Sequence, residues 1–290
     1  MDSQRYIYAI DSYIERMPSL PTSIAKVLEV CNDPQASPAD LNKIISIDPV
    51  LMGRVMRLIN SAYYGLNQEI TSLVRAIIML GVNTVKNLSL STAVLGTLGT
   101  TSDSQALNME GFWRHSLCVG VTAKLIAWQR KIDRKFHEEY FIAGLLHDIG
   151  KIPLNNRLPK QYMEVIALMD SEAIALHDAE TRIIGVDHSK VGGMIVDNWN
   201  LGAEIYDTIS YHHAAGAYDG EFKDIIYTVA MANYFANVEE IGFSGDRYPQ
   251  SLDPSIAGYL NFDIGYIEDE LAHRVNTEIE KARIFLQVAS

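Results

Sequence analysis

The chain has 290 residues, which is enough for one large helical domain or two smaller ones with separate cores, and we expect two. A hydrophobic content of 48% and a charged content of 21% are ordinary for a globular protein and give no sign of disorder. The formal net charge of -12, without an evident cluster of lysine and arginine, argues against a nucleic-acid backbone as the partner.

Apolar residues recur at helical spacing in nearly every segment and strand-like alternation is absent, so the fold is predicted to be all-α. Two helix starts are marked by capping residues, Ser37 with Pro38 and Asp40, and Asp48 before Pro49. The first half of the chain is predicted to contain helices at residues 3–16, 21–32, 38–46, 49–62, 72–80 and 82–98.

A stretch rich in glycine, serine and threonine, residues 96–108, has no apolar period and is predicted to connect two halves. We place the boundary near residue 105, which gives an N-terminal helical lobe over residues 1–105 and a second lobe over residues 106–290. The second lobe is predicted to contain helices at 109–131, 135–149, 159–170, 175–184, 188–199, 202–213 and 223–240, a loop at 242–255, and a long amphipathic helix at 267–289.

Membrane insertion and disulfide bonding are both unexpected for this sequence. No apolar run reaches the roughly 18 uncharged residues of a membrane span. The first residues mix polar and apolar types, unlike a signal peptide, so a cytoplasmic location is expected. Cys31 and Cys118 are too few and too far apart for a disulfide framework, and we expect buried thiols.

Several blocks of the sequence resemble the HDOD family, a bacterial branch of the HD phosphohydrolase superfamily named for an HD-related output domain. In chain order they are LPTSIAKVLEVCND, DPVLMGRVMRLINSAYYG, SLVRAIIMLGVNTVKNLSLS, FWRHS and HDIGK. The resemblance covers about residues 15–240, and its most specific elements are Ile59–Gly65 and Ala76–Gly81. It implies an N-terminal helical bundle packed on an HD-like helical lobe, and a role in signal transduction with a protein partner.

The resemblance also implies a metal-binding pocket. In the superfamily pattern, the dyad matched by His147 and Asp148 is joined by an upstream histidine, matched by His115, and by a later aspartate, whose position is taken here by Asn233. Histidine and aspartate together suit a divalent transition metal that polarises phosphate oxygen and lowers the pKa of bound water. A two-metal variant of the pattern adds histidines that are matched by His188, His212 and His213.

The spacing within the dyad restricts its geometry. Adjacent helical residues lie about 100° apart, so His147 and Asp148 can bind one ion only near a helix end, and Gly150 with Pro153 predicts that end. Asn233 can offer an amide oxygen but removes one negative charge, so weaker metal binding and lower activity are expected. The identity of the metal stays open among iron, manganese, zinc, nickel and magnesium.

Asp148 and Lys151 are the candidate catalytic residues. Lys151 follows the dyad as closely as a lysine that contacts the substrate phosphate in related hydrolases, which implies that role here; alternatively, it satisfies the last carbonyls of the preceding helix. The related cyclic-dinucleotide phosphodiesterases, called HD-GYP, have a GYP element after their paired histidines, whereas AAGAYDGEF follows His212 and His213 here. Hydrolysis of cyclic di-GMP is therefore disfavoured.

Other polar residues have more ordinary interpretations. Asn60, Tyr63 and Tyr64 lie at a predicted helix end, where they form a recognition surface or, as we favour, cap the backbone and pack between the lobes. Three further histidines are expected to be ordinary core or surface residues: His137, His177 and His273.

Two functions remain open, and with them the question of enzymatic activity. The first is a signalling module, weakly or not catalytic, whose pocket binds a metal and a small ligand such as a nucleotide; Asn233 and the missing GYP element favour it. The second is a metal-dependent phosphohydrolase acting on a nucleotide or another phosphate ester. The number of retained ligand-type residues favours this second function.

Overall fold

The computed structural model describes residues 2–33, 35–98, 106–262, 265 and 272–289, and over these residues the fold is all-α without a β-strand, which confirms the predicted class. Two short 3₁₀ turns span Arg134–Phe136 and Ala215–Ala217. The α-helices, numbered in chain order, are α1 (Asp2–Glu15), α2 (Thr22–Cys31), α3 (Pro38–Ile45), α4 (Pro49–Ile59), α5 (Leu73–Leu80), α6 (Val82–Leu98), α7 (Met109–Gln129), α8 (His137–Leu146), α9 (Lys151–Arg157), α10 (Pro159–Glu172), α11 (Leu176–Ile183), α12 (His188–Trp199), α13 (Ala203–Tyr211), α14 (Lys223–Val238), α15 (Pro254–Leu260), α16 (Ala272–Ala282) and α17 (Ile284–Ala289).

The predicted capping residues start their helices. The Ser37 hydroxyl accepts a hydrogen bond from the Asp40 backbone N–H at 3.3 Å, and the Asp40 carboxylate accepts one from the Ser37 backbone N–H at 3.0 Å. At the start of α4, Asp48 accepts hydrogen bonds from the N–H groups of Val50 and Leu51. These bonds satisfy N–H groups that have no partner within the helix.

Around the histidine–aspartate dyad the predicted helix end is present, but the short helix that follows it was not predicted. The helix predicted for 135–149 ends at Leu146, a tight turn covers residues 147–150, and a separate helix, α9, begins at Lys151. Pro153 lies inside the first turn of α9, where proline is tolerated because the N–H it lacks would have no helical partner. Glycine and proline therefore mark a break between two helices, not the end of helical structure.

The C-terminal region also differs from its prediction. Residues 254–260 form α15, which starts with Pro254 and is capped by Asp253 through a 2.8 Å bond from the Ser255 N–H. The predicted final helix is interrupted at Arg283, between α16 and α17. Its first predicted residues, 267–271, and the predicted lobe boundary near residue 105 lie outside the described residues.

Helices α2 to α6 pack on one another as an N-terminal lobe, with α6 at its centre. Most residues of α6 are buried, including serines and threonines. Their hydroxyls donate to backbone carbonyls of the preceding turn, as Ser89 does to Val85 at 2.8 Å and Thr92 to Ser89 at 2.9 Å. The polar groups are thus satisfied inside an apolar core.

Helices α7 to α14 form the second lobe, in which α7 and α8 pack closely against each other. A Cβ added to Gly144 on α8 would lie 2.8 Å from the Cα of Gly120 on α7, so the two backbones touch. This contact brings His115, on α7, near His147, which follows α8.

The chain ends pack across the two lobes. Helix α1 lies against α9 and α12 of the second lobe, whereas α17 lies against α4 and α6 of the first. Between the lobes, the Lys124 ammonium donates to the Tyr63 hydroxyl at 2.9 Å, and the Tyr63 ring packs on Phe141 and Phe285. Asn60 forms two 2.8 Å bonds with the Ile70 backbone. These contacts match the packing interpretation of this cluster, and the division at residue 105 stays a prediction.

Over the described ranges, none of the helices alone combines the length and apolar character of a membrane span. Helices α5 and α6 pass that test only as a pair, and they are bent by 116° relative to each other.

Glu204, in the first turn of α13, is partly buried beside Glu139 of α8. Burial, and then the Glu139 carboxylate, raises the pKa of Glu204 from 4.5 to about 7. Between about pH 4.5 and pH 7 the folded state therefore binds more protons than the unfolded state. The free energy of unfolding falls as the pH rises through this range and stays lower above about pH 7.

We expect Glu204→Gln to raise the free energy of unfolding by on the order of 1–3 kcal/mol at pH 8 and by little at pH 4.5, as measured by urea unfolding. The exposed Glu164→Gln on α10 is the control and should have the same small effect at both pH values. Equal stabilisation by Glu204→Gln at both pH values would contradict the raised pKa.

Candidate metal centre

All the residues predicted to bind metal come together in one cluster between α7, the 147–150 turn, α12, the end of α13 and α14. Two groups of ligand atoms, each within 4.8 Å of one another, share Asp148. One group is His115, His147 and Asp148, and the other is Asp148, His188, His212 and His213. Asn233 contacts the first group through His115.

The two carboxylate oxygens of Asp148 face different histidines. Its Oδ2 lies 3.3 Å from His147 Nε2 and 3.9 Å from His115 Nε2. Its Oδ1 lies 3.2 Å from His188 Nε2 and 3.6 Å from His212 Nε2. A carboxylate placed in this way can bind one ion or bridge two.

Backbone carbonyls fix the tautomers of two of the histidines. The Nδ1 of His147 lies 2.7 Å from the Gly144 carbonyl, and the Nδ1 of His212 lies 2.7 Å from the Ile209 carbonyl. Because a carbonyl only accepts, each Nδ1 holds a proton, and either ring in its neutral form has its lone pair on Nε2. Both Nε2 atoms and Asp148 Oδ1 are buried without a hydrogen-bond partner in the described part of the chain. Burial lowers the pKa of His212 to about 4, which keeps that ring neutral.

His188 is held by a carboxylate that the sequence analysis missed. The buried Glu180 accepts hydrogen bonds from His188 Nδ1 at 2.6 Å and from its backbone N–H at 2.8 Å, and Tyr162 donates to Glu180 at 2.7 Å. Such a carboxylate orients a metal-binding histidine and increases its basicity. The only signal for it in the sequence is an acidic residue on the apolar face of α11, eight residues before His188.

The charge on His188 bears on metal binding. Burial alone would lower the pKa of His188, but the Glu180 carboxylate outweighs burial and raises it to about 9. At neutral pH the ring is therefore protonated on both nitrogens. A metal ion bound at Nε2 must displace that proton, so binding there is coupled to proton release.

His213 and His177 lie at the edge of the cluster. The Nε2 of His213 is 2.9 Å from that of His188, and its ring stacks on His177 with 4.3 Å between ring centroids. The sequence context of His177 had predicted an ordinary core or surface residue. Instead, its ring lies against the site. Nothing in the local sequence of α11 reveals this stacking, because α11 and the end of α13 are joined only by the tertiary fold.

Asn233 acts as a hydrogen-bond acceptor. Its Oδ1 lies 3.0 Å from His115 Nε2 and also accepts from the Asn237 side-chain amide at 2.9 Å. Burial lowers the pKa of His115 to about 3, so this ring is neutral and its Nε2 holds the proton that it donates to Asn233. In this tautomer His115 has no lone pair on Nε2, so a metal ion bound there must displace that proton, as at His188.

Lys151 is paired inside the cluster. Its side chain is only 2% exposed, and its ammonium donates to Asp148 Oδ2 at 2.6 Å. Burial alone would raise the pKa of Asp148, but His147 and Lys151 hold it well below its usual range. Because Lys151 begins α9, the interpretation that it satisfies the last carbonyls of a preceding helix is wrong. Its burial also separates it from any large substrate.

A cavity of about 480 Å³ adjoins the cluster. His212, His213 and Asn233 form its inner wall, and the segment 249–254 forms much of its outer wall. Among the described residues, the lining includes the carboxylates of Asp246 and Asp253 and no lysine or arginine. The cavity can admit a small molecule to the histidines, but it offers a multiply charged anion no cationic side chain.

A family model for the HDOD domain matches residues 17–215. An uncharacterized protein of Treponema pallidum (strain Nichols) is 26% identical to this chain over 244 residues, which is 84% of this chain and 47% of the relative. The chain therefore spans about half the length of the curated relative it matches.

Solved structures are similar over nearly the whole chain. An HDOD domain protein with unknown function from Geobacter sulfurreducens is 26% identical, with a TM-score of 0.75 and 98% of each chain covered. A candidate signal transduction protein from Marinobacter aquaeolei VT8 is 20% identical, with a TM-score of 0.73, 98% of this chain and 66% of that chain covered. A candidate phosphohydrolase from Shewanella amazonensis SB2B is 22% identical, with a TM-score of 0.71, 96% of this chain and 98% of that chain covered. The last two similarities concern the fold alone.

Proposed function

This chain belongs to the HDOD domain family, and on that basis we propose that it is a signalling module whose histidine–aspartate cluster binds a divalent transition metal. The adjoining cavity takes a small ligand, and the N-terminal lobe passes the state of the pocket to a protein partner. Catalysis is weak or absent in this proposal.

The supporting observation is a set of three buried atoms that have no hydrogen-bond partner among the described residues: Nε2 of His147, Nε2 of His212 and Oδ1 of Asp148. Leaving such atoms without a partner costs about 1–3 kcal/mol each. The two rings have centroids 5.1 Å apart and their lone pairs are fixed by backbone carbonyls. A cation with affinity for imidazole would satisfy all three atoms, and the donor set fits iron, manganese, zinc or nickel better than magnesium, which prefers oxygen.

The proposed ligands follow from these contacts. Asp148, His188, His212 and His213 form the larger group, and His147 extends it toward His115. When bound, the metal would supply a Lewis acid and a site for an anionic group of the ligand. Glu180 would hold His188 in position.

Three features of the pocket favour a signalling role over catalysis. Asn233 supplies a neutral amide already engaged with His115, Lys151 is enclosed and paired with Asp148, and the cavity wall is acidic.

The test is the metal content of untagged protein, measured by elemental mass spectrometry after exposure to iron, manganese, zinc or nickel. We expect near-stoichiometric metal in the wild type and a loss of at least tenfold in His212→Ala. His273→Ala, on the exposed surface of α16, is the matched control and should keep its metal. Equal metal content in His212→Ala and wild type, or none in the wild type, would refute the proposed site.

A metal-dependent phosphohydrolase is the second candidate, because Asp148 is shared by two groups that can hold two ions beside a cavity. For this candidate, Asn233→Asp should restore the missing negative charge and tighten metal binding on the order of tenfold or more. Metal affinity by calorimetry, and turnover of bis(p-nitrophenyl) phosphate with manganese, are the two measurements.

Asn67→Asp, on the exposed loop between α4 and α5, is the control for this change, because it adds the same charge outside the cluster. We expect it to leave metal affinity nearly unchanged. Turnover that appears only in Asn233→Asp would identify a hydrolase disabled at one position. Tighter metal binding without turnover would support the signalling module.

A further inference from the structure

A second cavity lies away from the metal centre, at the end of α7. It has a volume of about 630 Å³ and is lined by Trp128, Gln129, Lys131, Ile132, Arg134 and His137. A smaller pocket of about 160 Å³ shares Trp128 and His137 and adds Lys124 and Arg274, among others. We call this pair the Trp128 cavity. Trp128 is thirteen residues from His115 along α7, or about 20 Å.

Trp128 presents an unusually open aromatic surface. It is 50% exposed, whereas Trp113 and Trp199 are 8% and 7% exposed. The Arg274 guanidinium lies over its ring, 4.3 Å from the centroid. A half-exposed indole with a cation on its face is a suitable platform for stacking a planar aromatic group.

The basic groups of the Trp128 cavity are available to a ligand. Lys131 and Arg134 are exposed, and neither forms an ion pair with an acidic residue in the ranges that the structure describes. The acids nearby are already paired: Glu138 with Lys124, Glu278 with Lys281, and Asp133 with Lys135. The whole chain has a net charge of -12, but the Trp128 cavity has a local excess of positive charge, which the overall composition does not indicate.

The backbone also favours a role for Lys131. Its φ is +60°, a left-handed conformation that glycine commonly adopts just after the end of a helix. The conformation is held by its N–H bonding to the Trp128 carbonyl at 3.0 Å and by the Ile132 N–H bonding to the Ala127 carbonyl at 3.0 Å. A lysine at this position costs roughly 1 kcal/mol relative to glycine. Here it sets an ammonium at the edge of the cavity.

We propose that the Trp128 cavity binds a nucleotide, with the base stacked on Trp128 and the phosphates bound by Lys131 and Arg134. Stacking and positive charge occur together here, and the cavity volume lies in the range of small-molecule sites. The arginine fork matches phosphate geometry, and the lysine supplies a point charge. The site does not depend on the metal centre.

The test is isothermal titration of GTP into the His212→Ala variant, so that metal bound at the cluster does not contribute to the signal. Guanosine and inorganic triphosphate are titrated in parallel. We expect saturable binding of GTP that is at least tenfold tighter than that of either part alone. Replacing Lys131 or Arg134 with alanine should weaken it at least tenfold, and both residues are exposed, so these variants should fold.

Three further variants complete the design. Trp128→Ala should weaken GTP binding at least tenfold, and Trp128→Phe should recover much of it, because a phenyl ring still stacks. Lys26→Ala, exposed on α2, should bind as the parent does. No saturable binding, unchanged affinity in the Lys131 and Arg134 variants, or triphosphate binding as tightly as GTP would overturn the proposal.

Discussion

Asp148→Asn is expected to abolish metal binding and to destabilise the fold at the same time. Asp148 belongs to both groups of potential metal ligands, so its loss weakens both ion positions. An asparagine keeps the shape but removes the only carboxylate that either group contains. We expect the affinity for metal to fall by about a thousandfold or more, since both the charge and a ligand oxygen are lost.

The loss of stability has a separate cause. Lys151 is 2% exposed and its ammonium is paired with Asp148 at 2.6 Å. Removing one partner of a buried ion pair leaves an uncompensated charge. We therefore expect the free energy of unfolding to fall by about 3–5 kcal/mol. Thermal unfolding in the presence of a chelator measures this loss without any contribution from bound metal.

A double variant separates the two effects. In Asp148→Asn with Lys151→Met, no buried ammonium is left unpaired, so we expect most of the lost stability to return while metal binding stays absent. The single variant Lys151→Met should keep metal, because Asp148 Oδ1 and its histidines are untouched. Recovery of metal binding in the double variant would show that Asp148 is not a ligand.

Local signals predicted much of the fold. The capping box at Ser37 and the cap at Asp48 lie where the sequence placed them, and the apolar spacing gave the helical class, because these features depend on neighbouring residues. Helix α9 was missed for the same local reason: Gly150 and Pro153 are compatible both with the end of a helix and with a turn between two helices. Only the packing of α12 on the turn decides between them.

The candidate site was also predicted only in part from the sequence. The resemblance to the HDOD family, whose blocks occur here in the same order, predicted the histidines, Asp148 and Asn233. The fold brings these residues together. Glu180 and His177 were missed because their partners, His188 and His213, lie on other elements and no sequence spacing connects them. The hydrogen that His115 donates to Asn233 also follows from tertiary geometry alone.

Gly150→Ala should destabilise the protein strongly, because the backbone of α12 lies directly against this residue. A Cβ at position 150 would be 1.9 Å from the His188 carbonyl oxygen and 2.5 Å from the Gly192 backbone nitrogen. Backbone atoms cannot rotate away as a side chain can, so the whole start of α12 must move. We expect a loss on the order of 3 kcal/mol or more in urea unfolding, at the upper end of overpacking effects.

The same displacement should reach the metal centre. His188 begins α12, and its ring position depends on the contact between α12 and the 147–150 turn, so Gly150→Ala should lower metal affinity even where the protein remains folded. Gly53→Ala is the matched control, because a Cβ there meets nothing within 4 Å on the exposed face of α4. That change should stabilise the protein by about 0.5–1 kcal/mol, as expected for alanine replacing glycine inside a helix. If Gly150→Ala kept wild-type stability and metal affinity, α12 would not be clamped on the dyad, and the proposed geometry of the metal centre would be wrong.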